Sequence, residues 1–440
     1  MSIGSLASLM SLAGSALDST QKALNVTAQN VANQNTAGYT RRVVSFQDSV
    51  SVSAVNVSVT QQRDPIVEQR LANQTQVAQA ASSKLSALND LQNVFPVNSS
   101  GSTALGSALD GLWTSFASLE ANPSDTATRQ AVLSAAGSFA SAMNSAASQL
   151  DQQISGINTQ IGGIATNINS LSKTIAGLNQ QILEGRDTDG SISEQRQQAI
   201  TQLSNYLGVT VTPNTDNAAV TVTASNGAVL VSGPSSYALD TSSTSGLTGG
   251  QIGGMVAVRD GALAPARTAL DQLATSVANA VNTQNAAGVD ANGSSGGAIF
   301  SSPSSATGFA ANIKVVMTSP SGIAAAASGE GSGGSGNASA LAALKDAKNT
   351  NGETGGDFLA AMLSEIGAQA SAASTDNTAQ NATLTQIQSQ RDAVSGVSLD
   401  EEAANLTMYQ RAYQANARIF AVADKLMAEA INLGQDTTVS

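Results

Sequence analysis

Residues 150–182 read LDQQISGINTQIGGIATNINSLSKTIAGLNQQI. Their leucines and isoleucines recur at alternating spacings of four and three: Leu150, Ile154, Ile157, Ile161, Ile164, Ile168, Leu171, Ile175, Leu178 and Ile182. This is the heptad seam of a helix that packs against other helices. Apart from Asp151 and Lys173, uncharged residues lie between these positions, rather than the charged residues of an isolated coiled coil, so the seam is expected inside a bundle of the same chain. The pattern predicts a long helix over 139–183.

Thinner apolar stripes lie at both ends of the chain. The N-terminal stripe repeats every seven residues at Ile3, Met10, Leu17, Leu24 and Val31, with Leu6, Ala13, Thr20 and Thr27 interleaved. The C-terminal stripe contains Leu406, Tyr409, Tyr413, Phe420, Ala423, Met427 and Ala430. Both predict amphipathic helices. Because such weak stripes stabilise a helix only through further contacts, the two end helices are expected to pair with each other and with neighbours.

Between the helical regions the apolar pattern changes to period two. Short strands are predicted where valines alternate at 209 and 211, at 220 and 222, and at 229 and 231, the last two strands forming a hairpin across Asn226-Gly227. Further strands are predicted at 55–59 and 313–316. Other helices are predicted over 64–94, 105–120, 129–143, 196–207, 263–282 and 358–370, with one more stretch through 384–387.

These patterns predict a mainly α fold with an inserted β-rich domain. Residues 1–48 and 398–440 would form a terminal coiled-coil domain. Residues 49–207 and 256–397 would form a helical bundle domain, with linkers near 290–300 and 328–337. Residues 208–255 would form a small β-rich outer domain, and an alternative adds residues 295–330 to it.

Composition excludes several function classes. The 440 residues include no cysteine and no histidine, which removes disulfides, thiolate or imidazole metal sites and the common nucleophile–base pairs. The net charge is −12 and the longest cationic run is Arg41-Arg42, so nucleic-acid binding is not expected. That pair is expected either in solvent or against an acidic neighbour. No window approaches the run of about 18 apolar residues that predicts membrane insertion, and the absence of a cation before Lys22 argues against a cleaved secretory signal.

Three motifs that resemble chemical sites are better explained as ordinary structure. Residues 329–334 fit G-x-G-x-x-G but follow no strand, so a flexible linker is favoured. Asp290 begins half of a calcium loop that lacks the closing glutamate, which favours a turn. Asp400, Glu401 and Glu402 lie in the first turn of a helix, where they complement its dipole. No catalytic, cofactor or metal site is predicted, and a wall-active exported enzyme, the alternative of another class, lacks a candidate buried carboxyl.

Two segments resemble a known family. Residues 23–25 read ALN, and residues 28–41 read AQNVANQNTAGYTR, which is similar to the N-terminal signature of bacterial flagellar rod, hook and hook-associated proteins, with Ala37 where many relatives have proline. Residues 395–406, SGVSLDEEAANL, and 409–417, YQRAYQANA, resemble the C-terminal end of members found at the hook–filament junction. Residues 278–293 and 356–367 agree with the same members, and the short middle region implies a compact variant without an outer domain of longer relatives.

The resemblance implies a non-enzymatic structural subunit, exported through the flagellar type III system, that forms an adaptor layer between hook and filament outside the cell. The hook protein itself, or the second hook–filament junction protein, is the alternative. Implied partners are the hook protein, the second junction protein, copies of this chain in a ring-like layer and a cytoplasmic export chaperone. The implied N-terminal assembly motif is Asn30, Ala32, Asn33, Asn35, Thr36, Gly38 and Tyr39, in which 33–39 should end the first helix in a defined bend. The implied C-terminal assembly and chaperone-binding helix includes Leu399, Asp400, Glu401, Glu402, Asn405, Leu406, Tyr409, Tyr413, Asn416, Phe420 and Met427.

Overall fold

The computed structural model describes residues 3–36, 38–49, 54–97, 101–303, 307–331 and 333–436. The N-terminal half contains α1 (Ile3–Ala32), β1 (Arg42–Ser49), β2 (Ala54–Gln61), α2 (Pro65–Gln92), α3 (Ala104–Ala121), α4 (Thr126–Leu183) and α5 (Ser191–Tyr206). The remainder contains β3 (Val209–Pro213), β4 (Val220–Ala224), β5 (Val229–Ser232), β6 (Ser235–Ser236), α6 (Gly250–Val258), a π-helical turn (Arg259–Leu263), α7 (Ala264–Ala287), α8 (Gly336–Ala343), α9 (Gly355–Ser395) and α10 (Leu399–Asp436). This mainly α fold with two small sheets confirms the predicted fold class.

The chain divides into two compact units. One comprises Met1–Val77, Asn167–Asp240 and Asn381–Ser440, and the other comprises Ala78–Thr166 and Thr241–Gln380. Helices α2, α4 and α9 therefore each contribute residues to both units. The domain boundaries given above from the sequence remain a prediction.

The 58-residue helix α4 confirms the heptad seam. Asp125 fixes its start, because the Asp125 carboxylate accepts the backbone N–H groups of Ala127 and Thr128 at 3.1 and 3.2 Å. Seven seam side chains are buried and the other three are half-buried; the buried ones are Leu150, Ile157, Ile161, Ile164, Ile168, Ile175 and Leu178. Residues 129–143, predicted as a separate helix, belong to α4, since buried Phe139 and Met143 continue its apolar face.

The predicted strands are confirmed with one exception. Strands β3 to β6 form an antiparallel sheet in that order, and β1 pairs with β2, which contains the predicted segment 55–59. The strand predicted at 313–316 is wrong, because only a single bridge joins Val315 to Phe300. Pairing stops there because the Ile299 backbone N–H donates to the Asn282 side-chain oxygen and the Lys314 backbone N–H donates to the Ser301 hydroxyl, so neither continues the ladder.

Three helices differ from the sequence patterns, and one of them, α8, has no counterpart among the predicted helices. Helix α9 is continuous over 41 residues, where two separate segments were predicted. Helix α6 was not predicted, since Gly253 and Gly254 disfavour a helix. Both lie too close to neighbouring backbone for a side chain: a Cβ on Gly254 would lie 2.2 Å from the Ala80 carbonyl oxygen. Gly254 therefore lets α6 pack directly on α2, whereas Gly253 lies against the backbone of Thr248 in the segment before α6.

Replacing Ile168 with aspartate should destabilise the fold by about 3 to 5 kcal/mol, because it leaves a carboxylate without a partner in the apolar seam. Ser170→Asp, on the exposed side of the same helix, is the matched control and should change the free energy of unfolding by no more than about 0.5 kcal/mol. Urea denaturation measures both. An equal loss of unfolding free energy in the two variants would contradict the conclusion that the heptad seam is the main source of stability.

Candidate assembly site

The two end helices lie side by side and run antiparallel. Asn30 near the end of α1 contacts Glu402 at the start of α10, and a Cβ on Gly14 would lie 3.9 Å from the Phe420 ring. The buried positions of α1 include the interleaved set predicted from the sequence, namely Leu6, Ala13, Thr20 and Thr27. Met10, Leu17 and Leu24 of the other set are half-buried, and Val31 is exposed. The pair therefore packs through mostly small side chains, which allows a close approach of the two helices.

The signature bend follows α1 directly and confirms the predicted end of that helix. The Thr36 backbone N–H donates to the Asn33 carbonyl at 2.9 Å, and the Tyr39 backbone N–H donates to the Thr36 carbonyl at 3.1 Å. Gly38 has φ of +83°, a left-handed conformation that favours glycine. Ala32 and Asn35 of the predicted motif are exposed. Ala37 lies outside the described residues.

Asn30 is the buried centre of the motif, with 1% of its surface exposed. Its side-chain oxygen accepts the Tyr39 hydroxyl at 2.9 Å and the Arg42 backbone N–H at 3.0 Å. Its amide nitrogen donates to the Arg42 carbonyl at 2.8 Å and to the Glu402 carboxylate at 3.2 Å. These four bonds use the full hydrogen-bonding capacity of an asparagine amide, so the site selects this residue type.

Arg41 joins the bend to the first turn of α10. Its guanidinium contacts Glu402 at 2.8 Å and Glu401 at 2.5 Å, and its backbone N–H donates to the Ser395 carbonyl at 2.9 Å. Burial lowers the pKa of Arg41, but its hydrogen bonds to Glu402 and Glu401 outweigh burial and hold that pKa above its ordinary value. Two of the carboxylates assigned above to the helix dipole therefore bind a cation from the other end of the chain.

Arg42 joins the same bend to the start of α5. Its guanidinium contacts Glu194 at 3.2 Å and Asp189 at 3.3 Å. The second oxygen of Glu194, a buried carboxylate, accepts the Thr40 backbone N–H at 3.1 Å. A hydrogen bond from the Ser191 hydroxyl, aided by the charge of Arg42, lowers the pKa of Asp189. The expectation of an acidic neighbour for Arg41-Arg42 is thus confirmed.

A third arginine, on α9, holds the bend from another side. Arg391 donates to the Tyr39 carbonyl at 2.9 Å and lies 3.5 Å from the Glu68 carboxylate on α2. Burial, together with the Glu194 and Glu402 carboxylates, raises the pKa of Tyr39, whose hydroxyl donates to Asn30. We call this set the Asn30 network: Asn30, Tyr39, Arg41, Arg42, Glu68, Asp189, Glu194, Arg391, Glu401 and Glu402. Sequence analysis missed the roles of Glu68, Asp189, Glu194 and Arg391, for which the sequence contains no local signal.

The predicted C-terminal residues occupy different environments. Tyr409 packs its ring 5.9 Å from that of Phe46 on β1, and burial raises the pKa of Tyr409. Asn405, Leu406, Asn416, Phe420 and Met427 are half-buried, whereas Leu399, Asp400 and Tyr413 are exposed. The predicted stripe thus faces α1 and β1 in part and solvent in part.

A second seam on α10 was not predicted. Met408, Ala415, Ile419, Val422 and Leu426 follow spacings of seven, four, three and four, and all five are exposed. Val422 is 60% exposed and Met408 is 54% exposed. We call these five residues the outer seam. Its heptad spacing was the signal that could have revealed it, and it suits contact with another helix.

The other motifs have structural explanations. Glu330 accepts the backbone N–H groups of Ala327 and Gly336 at 2.9 Å each, so its own carboxylate fills the glycine-rich loop. Asp290 accepts the N–H groups of Asn292 and Ser294 at 2.8 Å, the geometry of the expected turn.

Across the described residues there is no group of three or more acidic side chains able to hold a metal ion. Within the same ranges no helix is long and apolar enough to cross a membrane.

Three family models match the chain. The model described as the flagellar hook-associated protein FlgK helical domain matches residues 88–246 and 239–300. The model of the C-terminal part of flagellar basal body rod FlgEFG proteins matches residues 388–433, which contain the outer seam and the first turn of α10. The flagella basal body rod protein model matches residues 10–40, which contain the bend after α1.

Full-length comparisons agree with these matches. Flagellar hook-associated protein 1 of Escherichia coli (strain K12) is 27% identical over an alignment that covers 97% of this chain and 100% of the relative. The protein of the same name from Bacillus subtilis (strain 168) is 26% identical, with 95% and 96% covered. The Escherichia coli alignment spans 550 positions, so that relative contains segments absent from the 440 residues here.

A solved structure shares the fold. The flagellar hook junction protein FlgK from Burkholderia pseudomallei superposes with a TM-score of 0.66 at 19% identity, covering 74% of this chain and all of that one. The family models over residues 10–40 and 388–433 confirm the resemblance of the two terminal segments. The chain belongs to the family of flagellar hook-associated protein 1, and it is a structural protein of the bacterial flagellum.

Proposed function

We propose that this chain forms the adaptor layer that joins the flagellar hook to the filament, after export through the flagellar type III system. Its relatives named hook-associated protein 1, and the solved hook junction protein, support this position over that of the hook protein or the second junction protein. The hook protein would then contact the layer below, the second junction protein above, and copies of the chain would surround each subunit.

The outer seam is the observation that supports this function best. A helix with one apolar face against α1 and a second apolar face in solvent has more apolar surface than its own chain covers. Contiguous exposed apolar surface of this kind is typical of a protein interaction site. In the proposed layer a helix of a neighbouring subunit covers the seam; before export, a cytoplasmic chaperone covers it.

The Asn30 network explains how both chain ends contribute to one assembly unit. It contains residues from α1, the bend, β1, α5 and α10, so the outer seam acquires its position only when both ends have folded. Such dependence suits a subunit that crosses an export channel unfolded and assembles at the far end. Premature assembly in the cytosol is then opposed by the absence of a complete assembly unit.

Val422→Asp should abolish incorporation into flagella while leaving the monomer intact, because it places a charge in the outer seam at a residue whose surface is mostly exposed. Gln414→Asp, also exposed but outside the seam, is the control. Both should leave the melting temperature of the monomer nearly unchanged, since surface substitutions change stability by no more than about 0.5 kcal/mol. Electron microscopy of a deletion strain that expresses each variant should show hooks without filaments for Val422→Asp only. Filaments with both variants would refute the seam as the assembly surface.

Asn30→Leu should release the end helices, because it leaves the Glu402 carboxylate, the Tyr39 hydroxyl and two backbone groups without their partner. The expected local cost is about 3 kcal/mol or more, from several unsatisfied buried polar groups. Hydrogen exchange should therefore accelerate in α1 and α10 but not around Ile168 in α4. Asn35→Leu replaces an exposed asparagine in the same motif and should leave exchange unchanged. Slow exchange in α1 and α10 of the Asn30 variant would show that the network does not hold the ends.

A further inference from the structure

An exposed isoleucine between two arginines lies at the start of α2. Ile66 is 69% exposed. Arg70 follows it by four residues in the same helix, which places that cation beside it, and Arg63 lies three residues before it, in the segment that leads into α2. Both arginines are exposed, and neither forms an ion pair with any residue that the structure describes. We call these three residues the Ile66 surface. An apolar side chain this exposed, with two free cations around it, is well suited to enter an apolar pocket with an acidic rim.

A cleft of that kind lies in the other unit, between α7 and α9. Its volume is about 240 Å³. Small alanines of the α7 side and larger side chains of α9 form its apolar walls: Ala262, Ala266, Ala269, Phe358, Met362 and Ile366. The π-helical turn at Arg259–Leu263 contributes Gly261 and Ala262 to one wall. Such turns are rare and occur frequently at functional sites, which is independent support for a role of this cleft.

Two carboxylates lie at the cleft, those of Glu353 and Glu365, and both residues are exposed. Among the described residues neither forms an ion pair. Glu365 accepts one hydrogen bond, from the Gln369 amide one helical turn away at 2.8 Å. The cleft thus combines an apolar interior with two negative charges that lack cations, which matches the Ile66 surface in both respects.

We propose that the Ile66 surface of one copy docks into the α7–α9 cleft of a second copy. Ile66 enters between the alanine wall and Met362, while Arg63 and Arg70 pair with Glu353 and Glu365. The inference rests on the proposed function, in which copies of the chain lie next to one another. Because the two surfaces differ, the contact is head-to-tail and repeats from copy to copy, which produces a closed ring or a helical layer rather than a dimer.

The contact is small, so it should be weak between free monomers and effective only when other contacts hold the copies in place. The appropriate test is therefore made in assembled flagella. The native chain has no cysteine, so disulfides can form only between the introduced positions. Cells whose own gene is deleted would express two variants together, one with Ile66→Cys and one with Met362→Cys. Mild oxidation of isolated flagella should join them in a disulfide-linked dimer.

Ser364→Cys in place of Met362→Cys is the matched control, since Ser364 is exposed on the same helix but does not line the cleft. A dimer with Met362→Cys and none with Ser364→Cys supports the contact. Normal filaments without a dimer above the control level overturn it and leave the proposed function intact. If the unmodified chain never enters the flagellum, both proposals fail.

Charge exchange provides a second measurement that does not alter the cleft interior. Arg63→Glu with Arg70→Glu should reduce incorporation into flagella, and so should Glu353→Arg with Glu365→Arg. Each pair changes exposed residues, so circular dichroism should show folded chains. Combining all four substitutions in one chain should restore incorporation, because every copy then presents matched charges again. Failure of the combined variant to recover would show that the cleft and the Ile66 surface bind different partners, such as the hook protein or the second junction protein.

Discussion

The hydrogen bond between the buried Asn30 amide and the buried Glu402 carboxylate joins positions 372 residues apart. A carboxylate with 1% of its surface exposed requires charged and hydrogen-bonding partners, and among the described residues Asn30 at the end of α1 and Arg41 in the bend supply them. Leaving such a charge without its partner costs several kcal/mol, of the order of about 3 to 5. These contacts therefore order three segments together or none of them: the first turn of α10, the end of α1 and the start of β1.

Elsewhere in the chain, buried asparagines also join segments that are distant in the sequence. Asn179 on α4 binds the Val220 backbone through both its side-chain groups and also the Gly233 carbonyl, which attaches the small sheet to the long helix. Asn285 on α7 accepts the Ala324 N–H and donates to the Gly297 carbonyl. With only 11% charged residues, the chain uses amides to satisfy irregular backbone, because one amide supplies both a donor and an acceptor.

The sequence predicts elements well where large apolar side chains are periodic, and poorly elsewhere. Helix α4 and the hairpin at Asn226-Gly227 follow from Ile, Leu and Val spacing. Helix α9 is predicted only in part because its buried middle positions are alanines, such as Ala370 and Ala373, which patterns of large side chains do not register. The bend at 33–39 is predictable from its asparagines and glycine, and an acidic partner is one of the two environments that the sequence leaves open for Arg41. Which carboxylates bind each arginine depends on residues such as Glu402, 361 positions away from Arg41, and so on tertiary structure.

In the pair of end helices small side chains are buried and large apolar side chains are exposed, the reverse of the usual arrangement. Between α1 and α10 the fully buried positions include Ala13, Ala23, Thr27 and Ala423, whereas Met408, Ile419, Val422 and Leu426 face solvent. Because apolar stabilisation scales with the area removed from water, small buried residues contribute little to the pair, and the larger contribution is left for contacts outside the chain. In α4 the large aliphatic side chains are already covered within the chain. The body of the protein thus obtains most of its apolar stabilisation within the chain, whereas the end helices keep large apolar side chains free for contacts outside it.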